Sequence, residues 1–192
     1  SAPSAILMEA STGKVIFESN AAERRSPASI TKIMTLIITL EYGNLADTVT
    51  VSKYAASQPD VQLNAETGEQ YTLNDLIYAM MLMSYNDVAV AIAEYVADVY
   101  MNEQQQAEIV SQRTTEDSKE MVKVFAGLMN EKAKKLGCFN TYFITPNGLD
   151  AKNETGIHST TAAELAKIMA YCVNQSSKRD LFLEITSTPS YM

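Results

Sequence analysis

The sequence has few of the residues on which several classes of site depend. Among its 192 residues there is no tryptophan, one histidine, His158, and only two cysteines, Cys138 and Cys172. A single histidine excludes a metal centre built from several histidines, and it excludes a zinc finger. Two cysteines are too few for a disulfide scaffold. The apolar neighbours of both cysteines predict buried thiols, and a single bridge is the alternative.

Positive charge and long apolar runs are also scarce. Lys and Arg number 15 against 23 Asp and Glu, which gives a formal net charge of -8. This balance argues against binding to nucleic acid or to an anionic membrane surface, because both need clustered Lys and Arg. No run approaches the ~20 apolar residues of a membrane span. The chain starts at Ser1 and not at Met, so we expect that a signal peptide has been removed.

The remaining composition is that of an ordinary globular protein, with 46% hydrophobic and 20% charged residues. Residues 4–20 predict a β-hairpin whose tight turn uses the positive φ that Gly13 allows. The pair Ser26-Pro27 predicts the start of a buried, apolar helix, since serine caps helices and proline suits their first turn. Residues 102–117 are rich in Gln and Glu and are expected to be exposed.

Ser29 and Lys32 have the spacing of a reactive pair. A lysine three positions after a serine on a helix lies on the same face and can reach the hydroxyl. Inside a protein, near the positive end of a helix, the ammonium form is disfavoured, so the neutral amine can activate the serine as a nucleophile. The spacing alone is not specific, because Ser11 and Lys14 share it across the hairpin turn. The alternative is a polar first turn with a solvated lysine.

A second polar group, Ser84-Tyr85-Asn86, separates two predicted helices. Taken alone, it predicts helix capping by Asn86 or Asp87. Together with the pair Ser29 and Lys32, it indicates a known combination of motifs. A Ser-x-x-Lys sequence at the start of a buried helix, followed by Ser-x-Asn between two helices, resembles the penicillin-binding-protein and serine β-lactamase superfamily.

Longer segments resemble one branch of that superfamily, the low-molecular-mass D-alanyl-D-alanine carboxypeptidases. They occur in the family's order and span most of the chain: Ser11-Thr12-Gly13-Lys14-Val15-Ile16, then 20–35, Asn140-Thr141-Tyr142-Phe143, Pro146-Asn147-Gly148-Leu149-Asp150, and 158–166. The resemblance implies an α+β, DD-peptidase-like fold, in which an antiparallel sheet is flanked by helices. It also implies a single catalytic domain over 1–192 with a mainly helical subdomain at about 44–137.

The resemblance implies roles for individual residues as well. Ser29 would be acylated by the penultimate D-alanine of a peptidoglycan stem peptide, and Lys32 would accept its proton. Ser84 would relay a proton to the departing D-alanine, while Asn86 would hold the substrate amide. β-Lactam antibiotics would acylate the same serine as covalent inhibitors, and neither a metal nor an organic cofactor is implied. His158 is expected to be structural or peripheral, and the protein is expected to act outside the cytoplasm, at the cell surface or in the periplasm.

The sequence departs from the family pattern in two places. Tyr85 stands where these carboxypeptidases usually have a small residue, and its ring would reshape the substrate pocket. The third motif of the family, Lys-Thr-Gly on a strand, is not found between Leu149 and Met192. Losing the oxyanion donor on that strand would cost ~10²–10³-fold in rate. We therefore expect a truncated piece of a longer carboxypeptidase, without its C-terminal sheet strands and any C-terminal membrane anchor, whose open hairpin edge could pair with another copy.

Two other functions remain open at this point. A class A-like serine β-lactamase would need a general-base glutamate, and Glu154 lies in the right kind of loop. The Asn-Gly-Leu segment at 147–149 nevertheless favours the carboxypeptidase. A non-catalytic penicillin-recognising or sensor module would keep the fold without turnover, which the missing third motif would permit.

Overall fold

The fold combines helices with small antiparallel sheets. The computed structural model of the protein describes residues 2–103 and 105–191. Strands β1 (Ala5–Met8) and β2 (Val15–Ser19) form one sheet, and β3 (Thr48–Thr50) and β4 (Gln70–Thr72) form another. The described α-helices are α1 (Thr31–Tyr42), α2 (Lys53–Ala56), α3 (Leu73–Met83), α4 (Asn86–Tyr100), α5 (Ala107–Gln112), α6 (Thr115–Lys135), α7 (Ala162–Ala170) and α8 (Arg179–Ser187). The predicted α+β class is confirmed, and none of these helices has the length and apolar character needed to cross a membrane.

Helix α1 is the centre of the hydrophobic core. It packs against α3, α4, α6 and α8. Its residues Leu36, Ile37 and Leu40 are at most 2% exposed. A helix that is apolar nearly all round is stable only when neighbours cover every face, and the four surrounding helices do so. The position of its N-terminal end is therefore fixed by the core.

The start of this helix differs from the prediction. Ser26 does not cap it, because its hydroxyl donates a hydrogen bond to the carboxylate of Asp150. Ala28 has a φ of 48°, in the left-handed region, so a regular α-helix cannot run through this residue from Ser26. A 3-10 turn, Ala28–Ile30, precedes α1 and carries Ser29. The serine therefore lies in a separate turn, just before the helix that carries the lysine.

The N-terminal hairpin forms as predicted, with Gly13 at a φ of 72° in its turn. Strand β1 packs against α7, whereas β2 is exposed along its whole length. On β2, Ile16 and Phe17 are 63% and 58% exposed. An open, apolar edge agrees with the expectation for this hairpin. Pairing of that edge with another copy stays a prediction, as does the helical subdomain at 44–137.

Residues 102–117 are not uniformly exposed, contrary to the prediction. Val110 of α5 is fully buried. The guanidinium of Arg113 lies 3.2 Å from Glu94 Oε2 and 3.0 Å from Asp98 Oδ1. Both carboxyl groups belong to α4 and are buried, and burial raises their pKa although Arg113 opposes that effect. This ionic cluster, Arg113 with Glu94 and Asp98, fixes the segment between α4 and α6 against the core.

The two cysteines are free and buried, as predicted. Burial raises the pKa of Cys138 to about 11 and that of Cys172 to about 12. Because the thiolate is the reactive form of cysteine, both side chains behave as inert core residues.

Candidate active site

The amine of Lys32 is the centre of a buried polar group. The residue is 2% exposed. Its Nζ lies 3.3 Å from Ser29 Oγ, 2.9 Å from Asn86 Oδ1 and 2.8 Å from the carbonyl oxygen of Asn147. Burial lowers the pKa of Lys32 to about 8, because the ammonium form has lost its water. Ser29 is exposed, so its hydroxyl is open to a substrate while the amine is held behind it.

These three contacts determine what the neutral amine can do. A neutral lysine amine has two N–H groups and one lone pair. The oxygens of Asn86 and Asn147 can only accept, so they take the two N–H groups. The lone pair is left for the Ser29 hydroxyl, which can donate its proton. The geometry therefore suits Lys32 as a general base for this serine.

Asn86, the first residue of α4, belongs to this polar group directly. Its Nδ2 donates to the carbonyls of Pro59 and Asp60 at 3.1 and 3.0 Å, which turns its side-chain oxygen toward Lys32. Both ends of the Asn86 side-chain amide thus bond to groups of the protein itself. The expectation that Asn86 holds the substrate amide stays a prediction. Ser84 ends α3 with a φ of 62° and is not among the three partners of the lysine. Its predicted proton relay also stays a prediction.

His158 fastens the loop after α6 to the start of α1. It is 1% exposed. Its Nδ1 accepts hydrogen bonds from the N–H groups of Ile144 and Thr145, at 2.9 and 3.3 Å. The proton of the neutral ring is therefore on Nε2, which donates to Thr31 Oγ1 at 3.0 Å. These contacts agree with the structural role expected for this residue.

Because His158 is buried, we expect the stability of the protein to depend on pH between 4 and 6.5. Burial lowers its pKa from 6.5 to about 4, so between these values the unfolded chain binds a proton that the folded protein does not. Stability should thus fall as the pH drops from 6.5 to 4, by up to about 3 kcal/mol from this residue. Urea unfolding of the wild type and of His158→Gln across this range measures the effect. The variant should lack this part of the slope, and equal slopes would contradict the assignment.

Gly148 lies against the backbone of the turn that carries the serine. It has a φ of 89°, and a Cβ at this position would lie 1.9 Å from the carbonyl oxygen of Ala28 and 3.0 Å from the nitrogen of Ser29. Only glycine allows this close approach. The contact helps to place the neighbouring carbonyl of Asn147 on Lys32. The residue pattern did not predict that carbonyl as part of the site, because a backbone acceptor leaves no signal in side-chain spacing.

Tyr85 lies beside this polar group and lines a different cavity. Together with Leu63, Leu82 and Met83 its half-buried ring lines an apolar groove of about 740 Å³ along α3. Neither Ser29 nor the lysine lines that groove. The predicted effect of the ring on the substrate pocket stays a prediction.

The other sequence candidates do not join the site. Ser11 donates to Glu9 Oε1 at 2.6 Å on the exposed hairpin turn, so the second Ser-x-x-Lys match is not a reactive pair. Glu154 is exposed in the turn between the bridged residues Lys152 and Ile157. In residues 2–103 and 105–191, no three His, Cys, Asp or Glu side chains are grouped so that they could hold a metal ion.

An exposed serine with a buried lysine amine directed at its hydroxyl, at the start of a central helix, is the arrangement that serine hydrolases with a lysine base use. The D-alanyl-D-alanine carboxypeptidase family matches residues 1–102 and 119–191. The chain belongs to this family. The match leaves out 103–118, the segment that Arg113 fixes to α4.

Curated relatives agree with this assignment. D-alanyl-D-alanine carboxypeptidase DacF from Bacillus subtilis is 36% identical over 174 residues, which are 88% of this chain and 38% of the relative. DacC from Escherichia coli is 36% identical over 160 residues, which are 78% of this chain and 34% of the relative. The chain therefore spans less than two fifths of the length of these relatives.

Solved structures show the same fold. The D-alanyl-D-alanine carboxypeptidase DacD of Francisella tularensis matches 96% of this chain and 39% of its own, with a TM-score of 0.76 and 26% identity. Penicillin-binding protein D2 of Listeria monocytogenes, in its cefotaxime-bound form, matches 100% of this chain and 68% of its own, with a TM-score of 0.72 and 25% identity. The predicted DD-peptidase-like fold is thereby confirmed.

Proposed function

We propose that this chain carries the nucleophile of a serine-type D-Ala-D-Ala carboxypeptidase that trims peptidoglycan stem peptides. The observation that carries the proposal is the buried Lys32 amine, whose two N–H groups are taken by fixed oxygens and whose third contact is Ser29 Oγ at 3.3 Å. Membership of the family supports the same reaction. No observation favours the β-lactamase or the non-catalytic sensor module.

The proposed reaction runs through an ester on Ser29. The serine oxygen attacks the carbonyl of the penultimate D-alanine while Lys32 takes the hydroxyl proton. The carbon–nitrogen bond then breaks, and the departing D-alanine amine receives a proton, in the proposed scheme through Ser84. Water hydrolyses the ester and restores the serine. A β-lactam would enter the same first step, because its strained amide presents a carbonyl to the same oxygen.

The proposed substrate also determines the proposed location. Peptidoglycan lies outside the cytoplasmic membrane, so a protein that trims it must act at the cell surface or in the periplasm. We therefore propose an extracytoplasmic, cell-wall role, with stem peptides and β-lactams as partners.

Intact mass spectrometry after incubation with benzylpenicillin tests this function. We expect one adduct on the wild type and none on Ser29→Ala, since the ester oxygen is then absent. Ser11→Ala is the matched control, because it removes the serine of the other Ser-x-x-Lys sequence and should leave the adduct in place. An unmodified wild type, or an adduct that survives in Ser29→Ala, would contradict the proposal.

A second assay separates the carboxypeptidase from the alternatives. With a synthetic peptide that ends in D-Ala-D-Ala, the wild type should release D-alanine. An adduct without any D-alanine release would favour the sensor module. Rapid loss of the bound penicillin by hydrolysis would favour the β-lactamase.

A further inference from the structure

The side chain of Gln58 connects the end of α2 to the loop that contains Asn147, whose carbonyl accepts a hydrogen bond from Lys32. Gln58 is 7% exposed. Its Nε2 donates to the carbonyl of Tyr54 at 3.2 Å, and its Oε1 accepts a hydrogen bond from Asn147 Nδ2 at 3.2 Å. Because both ends of the amide have a partner, the orientation of the side chain is fixed.

Asn147 transmits this constraint to the lysine. It is 2% exposed. Its Oδ1 accepts from the N–H of Leu149 at 3.0 Å, while its own carbonyl accepts from Lys32 Nζ at 2.8 Å. One residue thus carries both the anchored side chain and the carbonyl that orients the amine. The side chain of Asn147 has two anchors, of which Gln58 is one, and together with the contact at Gly148 and the bond from Thr35 to the carbonyl of Pro146 they hold that carbonyl in place.

The residues that follow Gln58 hold the other acceptor of the lysine. The carbonyls of Pro59 and Asp60 accept from Asn86 Nδ2 at 3.1 and 3.0 Å. The next carbonyl along the chain accepts from the backbone N–H of Asn86 at 2.7 Å. A single short segment therefore supports both oxygens that receive N–H groups from Lys32.

We propose that Gln58 is a positioning residue for the Ser29–Lys32 pair and acts through Asn147. The proposal rests on the proposed function, because it takes the lysine as the base for the serine. With the Asn147 carbonyl held in place, one N–H of the neutral amine has a defined direction and the lone pair stays on the serine hydroxyl. If the carbonyl shifts, the amine can rotate and the lone pair leaves the hydroxyl. Gln58 contacts neither reacting group, so its loss should slow the chemical step and leave binding of the acyl donor unchanged.

The rate of acylation by benzylpenicillin tests this role. Quenched-flow mass spectrometry at several penicillin concentrations separates the affinity of the first complex from the rate constant of acylation. Gln58→Met removes both amide contacts at similar side-chain length, and we expect its rate constant to fall about tenfold with little change in affinity. Gln58→Glu loses the donation to Tyr54 but keeps an oxygen that can accept from Asn147, the contact on which the proposed role depends, and should stay within about threefold of the wild type. Gln62→Met, at a half-buried glutamine in the same loop, is the matched control and should not change the rate.

The final extent of labelling measures the fraction of competent protein, which isolates the rate constant from a loss of folding. A merely structural role would appear as incomplete labelling with an unchanged rate constant. A wild-type rate constant in Gln58→Met, or a Gln58→Glu as slow as Gln58→Met, would overturn the proposal. If Gln58→Met does not fold, Gln58→Asn takes its place, because its shorter amide cannot span both partners, and a fast Gln58→Asn would equally overturn it.

The same measurements distinguish this proposal from the function on which it rests. A wild type that forms no adduct contradicts the proposed function, and the role of Gln58 falls with it. A wild type that is acylated, with Gln58 variants that match it, contradicts the role of Gln58 alone.

Discussion

Replacing Lys32 with methionine should lower the rate constant for acylation of Ser29 by benzylpenicillin by about 10²–10⁴-fold, the usual contribution of a positioned base. The substitution removes the lone pair that faces the serine hydroxyl and keeps most of the buried volume. Lys14→Met, at the exposed lysine of the other Ser-x-x-Lys sequence, is the matched control and should react like the wild type. Acylation of Lys32→Met at the wild-type rate would exclude the lysine as the base.

The pH dependence of the acylation rate of the wild type should report the ionisation of Lys32. Because burial lowers the pKa of Lys32 to about 8, the neutral amine is the minor form at neutral pH. The acylation rate should therefore rise about tenfold per pH unit below that value and level off above it. The residual rate of Lys32→Met should lack this transition.

The stability of the wild type relative to Lys32→Met should also depend on pH. The unfolded chain keeps the lysine proton up to about pH 10, whereas the folded protein loses it near pH 8. The wild type should therefore gain stability relative to the variant as the pH rises between these two values, and should gain nothing below them. Urea unfolding at pH 7 and at pH 9.5 measures the difference.

Gly148→Ala should destabilise the protein by about 3–5 kcal/mol. A Cβ at a φ of 89° is strained in itself, and this one would lie 1.9 Å from a backbone oxygen of the turn that carries Ser29. The turn must move to relieve the overlap, so acylation of whatever protein remains folded should slow as well. Urea unfolding gives the free energy, and labelling by benzylpenicillin gives the effect on the site.

Gly127→Ala is the control for that substitution. Gly127 is exposed within α6, and a Cβ there would meet nothing within 4 Å. Since alanine is the better helix former, this variant should be slightly more stable than the wild type, by about 0.5–1 kcal/mol. Similar losses in both glycine variants would show that the close approach at Gly148 is not what matters.

The fold was predictable wherever the determinants are local. The hairpin follows from two apolar runs around Gly13, and the central helix follows from its nearly continuous apolar surface. The start of that helix was not predictable, because the Ser26 hydroxyl bonds to Asp150, a residue 124 positions away. A serine beside a proline has the same local pattern whether or not a distant carboxylate takes its hydroxyl. The burial within residues 102–117 was not predictable for the same reason, since the partners of Arg113 lie on another helix.

The candidate site also has a part that was predictable from the sequence and a part that was not. The spacing of Ser29 and Lys32, with Asn86 between two later predicted helices, identified the side chains that meet. The second set of contacts, the carbonyl of Asn147 and the amide of Gln58 behind it, gave no such signal. A backbone carbonyl is present at every position, and a glutamine after a short helix is ordinarily a surface residue. The fold brings the carbonyl of Asn147 to the amine of Lys32, and it brings the amide of Gln58 to the side chain of Asn147.

The ionic cluster of Arg113 with Glu94 and Asp98 has a consequence for loop exchange among relatives. The arginine belongs to the segment 103–118, outside the family match, whereas both acids belong to α4, inside it. The segment is therefore not an interchangeable insert. Deleting it would leave the buried carboxylates of Glu94 and Asp98 without their arginine. Grafting it onto a relative without those acids would leave the guanidinium of Arg113 without a partner. The loop and its two acids behave as one module, although half of that module lies within the shared fold.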